Sequence, residues 1–115
     1  MAPYLNNNMV SDLMNTYTDA LKKELCENLK AVVLFGSYAR GDNEFDSDID
    51  VFILLSEMNS DVIKQVRYLA SGIGLQHDAI LSTFIKDLVA FEKYKSIEPI
   101  YKNILKDGEF YYDNI

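Results

Sequence analysis

The segment Asp48-Ile49-Asp50-Val51-Phe52-Ile53-Leu54-Leu55 constrains the fold of this chain more than any other. Apolar side chains, most of them β-branched or aromatic, follow one another without a polar break from Val51 to Leu55, which predicts a strand buried on both faces. Yet two carboxylates stand one residue apart at its mouth. Side chains alternate across a strand, so Asp48 and Asp50 point to one face with Phe52 and Leu54, while Ile49, Val51 and Ile53 line the other. Ionised carboxylates are costly to bury without partners, and two close together repel. Only the first two positions of that face are therefore expected to be open to solvent, which puts the pair at a strand end on the rim of a cleft. A divalent cation removes the repulsion and prefers oxygen ligands; Mg2+ is typically held by one or two carboxylates together with phosphate oxygens.

A second apolar run, Ala31 to Phe35, is stopped by Gly36-Ser37 and predicts another buried strand. Glycine lets a backbone approach a phosphate closely. Exposed amides and a serine hydroxyl in such a turn make an anion cradle, more so where a helical turn begins. Arg40 follows closely enough to add a charged donor. A cradle of Gly36, Ser37 and Arg40 beside a cation-binding carboxylate pair implies a metal-bound nucleoside triphosphate.

The remaining pattern surrounds these strands with helices. Val10, Leu13, Met14, Tyr17, Leu21 and Leu25 predict an amphipathic helix from Met9 to about Asn28. Met1 to Asn8 reads as a frayed lead, because the Asn6-Asn7-Asn8 run is poor at holding a helix. Tyr38 to Ser47 is polar and reads as a turn, or a short helical turn plus loop. A further helix is expected from Asn59 or Ser60 as its cap to Gly72 and Gly74 as its stop, then a third strand over 77–84. Lys86 to Lys95 reads as helical, and a last helix runs from Ile97 to Lys106, with Pro99 in its first turn and Gly108 ending it. Glu109 to Tyr112 fits an edge strand. This order predicts one α/β domain over residues 1–115, a small mixed β-sheet flanked by helices.

A formal net charge of −7 weighs against direct binding of nucleic acid or of an anionic membrane. Cys26 is the single cysteine, which excludes an internal disulfide and reads as a small buried hydrophobe on a helix. No window approaches the ~20 apolar residues of a membrane span, and no basic segment leads into an apolar run at the N-terminus, so a reducing cytoplasm is the expected compartment. His77, the lone histidine, is expected to orient or pack rather than catalyse. Asp42, Glu44 and Asp46 read as a solvated loop, with Asp46 able to support the pair from behind. Tyr101, Tyr111 and Tyr112 fit core or partner contacts.

Gly36-Ser37, ten residues, then Asp48-x-Asp50 between apolar residues resembles the signature of the polymerase-β-like nucleotidyltransferases. The fuller string Gly36-Ser37-Tyr38-Ala39-Arg40-Gly41, with Ser47-Asp48-Ile49-Asp50-Val51, is similar to their minimal nucleotidyltransferase (MNT) branch. So is the C-terminal stretch from Glu98 to Tyr112. The resemblance implies a nucleotidyltransferase palm with a third carboxylate on a later strand, for which the matching residue is Asp78. It implies that Asp48 and Asp50 bind two Mg2+ ions, that Asp78 binds the one activating the attacking hydroxyl, and that Gly36 and Ser37 hold the β- and γ-phosphates of ATP. It also implies a partner, a HEPN-type toxin of a type VII toxin–antitoxin module, neutralised by AMP transfer onto its tyrosine. Larger relatives add a helical domain over the nucleotide; this chain is expected to leave its cleft open for a partner to complete.

Other readings of the same residues remain. Asp46, Asp48, Asp50 and Glu57 match ligand positions of an EF-hand loop, but Val51 stands where its sharp turn needs glycine. A Walker-type loop lacks its Gly-Lys-Ser/Thr. The two aspartates alone could be solvated strand-end residues. An antitoxin acting by binding alone, and a nucleotidyltransferase modifying a small hydroxylated molecule such as an aminoglycoside, are the functional alternatives.

Overall fold

In the computed structural model, which describes residues 5–44 and 46–115, strands β1 (Leu29–Phe35) and β2 (Ile49–Leu55) pair antiparallel through the middle of a four-stranded sheet. These are the two segments read as buried strands, and Val32, Val33, Val51 and Ile53 within them are fully buried. The sheet order is β3-β2-β1-β4, with β3 (Leu81–Asp87) parallel to β2 and β4 (Glu109–Asp113) antiparallel to β1. A parallel neighbour needs a crossover, and helix α3 (Ser60–His77) provides it. The sheet is mixed and flanked by helices, as expected.

Alternation along β2 divides the core in two. Ile49, Val51, Ile53 and Leu55 face helix α1 (Asn7–Leu25) and α3, packing with Leu13, Met14, Tyr17, Leu21 and Val66. Tyr17 ties these helices together, its buried hydroxyl donating to the carbonyl of Val66 at 2.9 Å. Phe52 and Leu54 face the other way, toward Phe91 of α4 (Leu88–Tyr94) and Tyr101 and Ile104 of α5 (Pro99–Asp107). Tyr101 is thus a core residue, its ring edge-on to Phe52 and Phe91 at 6.1 and 5.7 Å.

Several boundaries differ from the sequence reading. The asparagine run begins α1 instead of fraying, because the Asn6 side chain accepts the amide of Met9 at 2.9 Å and caps the first turn. Met1 to Tyr4 lie outside the described residues. Gly72 and Gly74 do not stop α3, which continues to His77. Gly74 instead permits a close crossing, since a Cβ there would stand 2.6 Å from the carbonyl oxygen of Ala79. Helix α4 starts later than expected, at Leu88, where Asp87 caps it by accepting the amide of Ala90 at 2.8 Å. Cys26 is exposed, not buried: α1 ends at Leu25, and a positive φ of 51° turns Cys26 away. Residues Ile49 to Leu55 form a strand, so the calcium-loop reading has no loop to occupy. Among the described residues, no helix is long and apolar enough to cross a membrane.

Candidate active site

Strand β1 ends at Phe35, whose cross-strand partner on β2 is Asp50. The next residue, Gly36, turns the chain with φ 75° and ψ −152°, a conformation essentially restricted to glycine. A Cβ at this position would collide with the Asp50 carboxylate, lying 3.1 Å from its Cγ and 3.2 Å from its Cβ. The chain then enters a single helical turn, α2 (Ser37–Arg40), closed by the amide of Gly41 donating to the carbonyl of Ser37 at 2.9 Å. The first amides of such a turn have no intrahelical acceptor. The Gly-Ser turn and Asp50 of the acidic pair are therefore in direct contact.

Asp48 is exposed, one residue ahead of β2, and Asp50 is half-buried inside it. Burial pushes the Asp50 carboxyl above its ordinary range, the neighbouring Asp48 charge pushes it further, and Arg40 draws it back. Arg40 is exposed and ion-paired with Asp42 at 3.2 Å, so its charge reaches the site while its side chain is engaged elsewhere. The Ser82 hydroxyl donates to Oδ2 of Asp48 at 3.1 Å. The rings of Phe35 and Phe84 meet edge-on at 5.1 Å beside the pair, Phe84 being 38% exposed. This donor set suits a divalent cation: Asp48 and Asp50 share a face, repel each other when bare, and supply the hard oxygen ligands that Mg2+ takes.

Asp78 does not join them. It is the C-cap of α3, with φ 53° in the left-handed region, and it precedes β3 instead of opening it. The helix runs past its glycines, so residues 78–80 are used in turning toward the sheet, and the β2–β3 register starts at Ile49↔Leu81. Asp78 lines a groove between α3 and β3 with Arg67, Ser71, Leu81 and Thr83, and Leu81 packs into the core on the helix side of the sheet. The β3 residue opposite Asp50 is Ser82. Among the described residues, no three His, Cys, Asp or Glu side chains gather to hold a metal ion. Asp48 thus has a serine hydroxyl beside it, while Asp78 lies in the α3–β3 groove.

His77 Nδ1 lies 2.9 Å from the carbonyl oxygen of Ile73 in the last turn of α3. Asp46 is exposed in the loop before β2. Sequence reading missed Ser82. The sequence predicts the strand over 77–84, and only the observed start of β3 at Leu81 sets Ser82 against Asp50.

Comparison with known proteins identifies the family and the fold. The sequence matches the family described as "Nucleotidyltransferase domain" over residues 18–111. It is 36% identical over 77 residues to a Methanocaldococcus jannaschii protein provisionally named protein adenylyltransferase MJ0141, covering 66% of this chain and 78% of that one. It is 35% identical over 75 residues to protein adenylyltransferase MntA of Thermococcus cleftensis, covering 62% and 76% respectively. Among solved structures, a chain of a toxin–antitoxin complex with AMP-PNP superposes with a TM-score of 0.55 at 21% identity, over 95% of this chain and 74% of that one. A chain of the complex of tri-AMPylated Shewanella oneidensis HEPN toxin with MNT antitoxin gives 0.52 at 18% identity, over 89% and 71%.

Proposed function

The chain belongs to the nucleotidyltransferase domain family, and from that premise we propose that it is an Mg2+-dependent protein adenylyltransferase that neutralises a HEPN-type toxin by transferring AMP from ATP to a tyrosine hydroxyl. The observation that supports this reading best is the contact between the Gly36-Ser37 turn and Asp50, which sets an anion cradle against a cation-binding carboxylate pair. The names of the relatives point to protein as acceptor, and the similar complexes point to the toxin.

In this mechanism Gly36 and Ser37 receive the β- and γ-phosphates, with backbone amides and the serine hydroxyl as donors. Asp48 and Asp50 would hold the cation, leaving its other positions to phosphate oxygens and water. When bound, Mg2+ supplies charge compensation for the triphosphate and the attacking oxygen. The acceptor oxygen forms a bond to the α-phosphorus, the bond from that phosphorus to the bridging oxygen breaks, pyrophosphate leaves, and the hydroxyl proton passes to solvent. The protein's contribution is placement and electrostatics. Asp48 and Asp50 are the residues that would hold the Mg2+ the resemblance implies. Asp78 has no role in it.

The test is to incubate the chain with a purified toxin partner, ATP and Mg2+ and to weigh the partner intact. Mass gains in units of AMP, absent with Asp48→Asn, Asp50→Asn, are expected. Full neutralisation by that double variant without any mass gain would establish silencing by binding alone.

A further inference from the structure

We propose that Ser82 is a positioning residue that fixes Asp48 for cation binding, an inference that rests on reading Asp48 and Asp50 as the cation ligands. Asp48 has little else to hold it. It is exposed, precedes the strand, and is repelled by Asp50, so its lowest-energy course without a partner is to swing into water. The hydroxyl of Ser82 engages Oδ2 at 3.1 Å, the one side-chain hydrogen bond that Asp48 makes among the described residues. The backbone aligns the two: β2 and β3 are parallel in continuous register, Asp50 is opposite Ser82, and the amide of Ile49 donates to the carbonyl of Ile80 at 2.9 Å. A hydroxyl at the second residue of β3 therefore meets the carboxylate just ahead of β2. The bond engages Oδ2 and leaves Oδ1 to a cation. Hydrogen bonds from outer residues to ligating carboxylates orient them, and their loss typically weakens metal affinity 10–100-fold.

Ser82 is half-buried on an edge strand, so the fold does not depend on its hydroxyl, and a purely structural role leaves cation affinity unmoved. The experiment titrates the full chain with Mn2+ alone, counting free Mn2+ by electron paramagnetic resonance. Ser82→Ala is expected to weaken Mn2+ binding about tenfold while keeping the metal-free melting temperature within about 2 °C. Ser82→Thr, which retains the hydroxyl, should restore affinity. Asp48→Asn is the control for the underlying reading. If Asp48→Asn loses Mn2+ and Ser82→Ala binds it as the parent does, or if Ser82→Thr fails to restore what Ser82→Ala loses, the positioning role is overturned while the carboxylate site stands. If Asp48→Asn leaves Mn2+ binding unchanged, the carboxylate reading falls and this proposal with it.

Discussion

Gly36 and Asp50 are packed against each other with no room for a side chain between them: a methyl group on Gly36 would enter the space of the Asp50 carboxylate. A single glycine thereby links the Gly36-Ser37 turn to the acidic strand, and its substitution has two separable costs. Gly36→Ala imposes a glycine-only backbone conformation on a residue with a Cβ, costing about 1–3 kcal/mol of stability. It also displaces Asp50. Transfer activity, measured below the melting transition, should fall by far more than the loss of folded protein explains.

Neutralising either carboxylate should remove activity while sparing the fold. Asp48→Asn and Asp50→Asn each delete a charge that would hold the cation, and losses of about 10²–10³ in turnover are expected, as for removal of other preorganised electrostatic groups. Steady-state rates with labelled ATP check this. A loss of only a few-fold would place the reaction elsewhere.

The sign of the Asp50 contribution to stability can be fixed from its surroundings. Its carboxyl is raised in the folded state, first by burial and then by Asp48, while Arg40 opposes both. The fold therefore favours the protonated form, and stability falls as pH rises from the ordinary carboxylate value through the folded one. In metal-free buffer at pH 7, Asp50→Asn should melt above the parent, and this advantage should vanish below the ordinary carboxylate range. Mg2+ should raise the melting temperature of the parent and not that of the variant. Differential scanning calorimetry with EDTA and with Mg2+ distinguishes these outcomes.

Asp78→Asn tests whether the third aspartate acts from the α3–β3 groove. Asparagine tolerates the left-handed backbone that Asp78 adopts at φ 53°, and the residue lies in the α3–β3 groove. Activity within about threefold of the parent and little change in melting temperature are expected, as for surface substitutions generally. A loss comparable to that of Asp48→Asn would require Asp78 to reach the pair.

Much of this was legible in the sequence where the pattern was strong. Val51 to Leu55 and Ala31 to Phe35 are continuous apolar runs, and the β2 alternation assigned both faces of the sheet. The errors came where local signals competed with tertiary ones. Gly74 looked like a helix stop, but it is needed for a close approach to Ala79, and the helix runs on through it. That extension moved the start of β3 to Leu81, so the residue beside Asp50 became Ser82 and not Asp78. Asn6 looked like a helix breaker and is a cap, a role set by one hydrogen bond. Cys26 had helical neighbours and no periodic cue that the chain turns at that point.

The bond between Ser82 and Asp48 has a consequence for the motions of the sheet. It joins the rim of a largely buried central strand to an outer strand that is paired on one side only. Any ion that prefers the clamped carboxylate also prefers the outer strand docked, by the same free energy in both directions. Loading the site therefore slows local opening of that border, and backbone amides along it should exchange with solvent deuterium more slowly when the ion is bound.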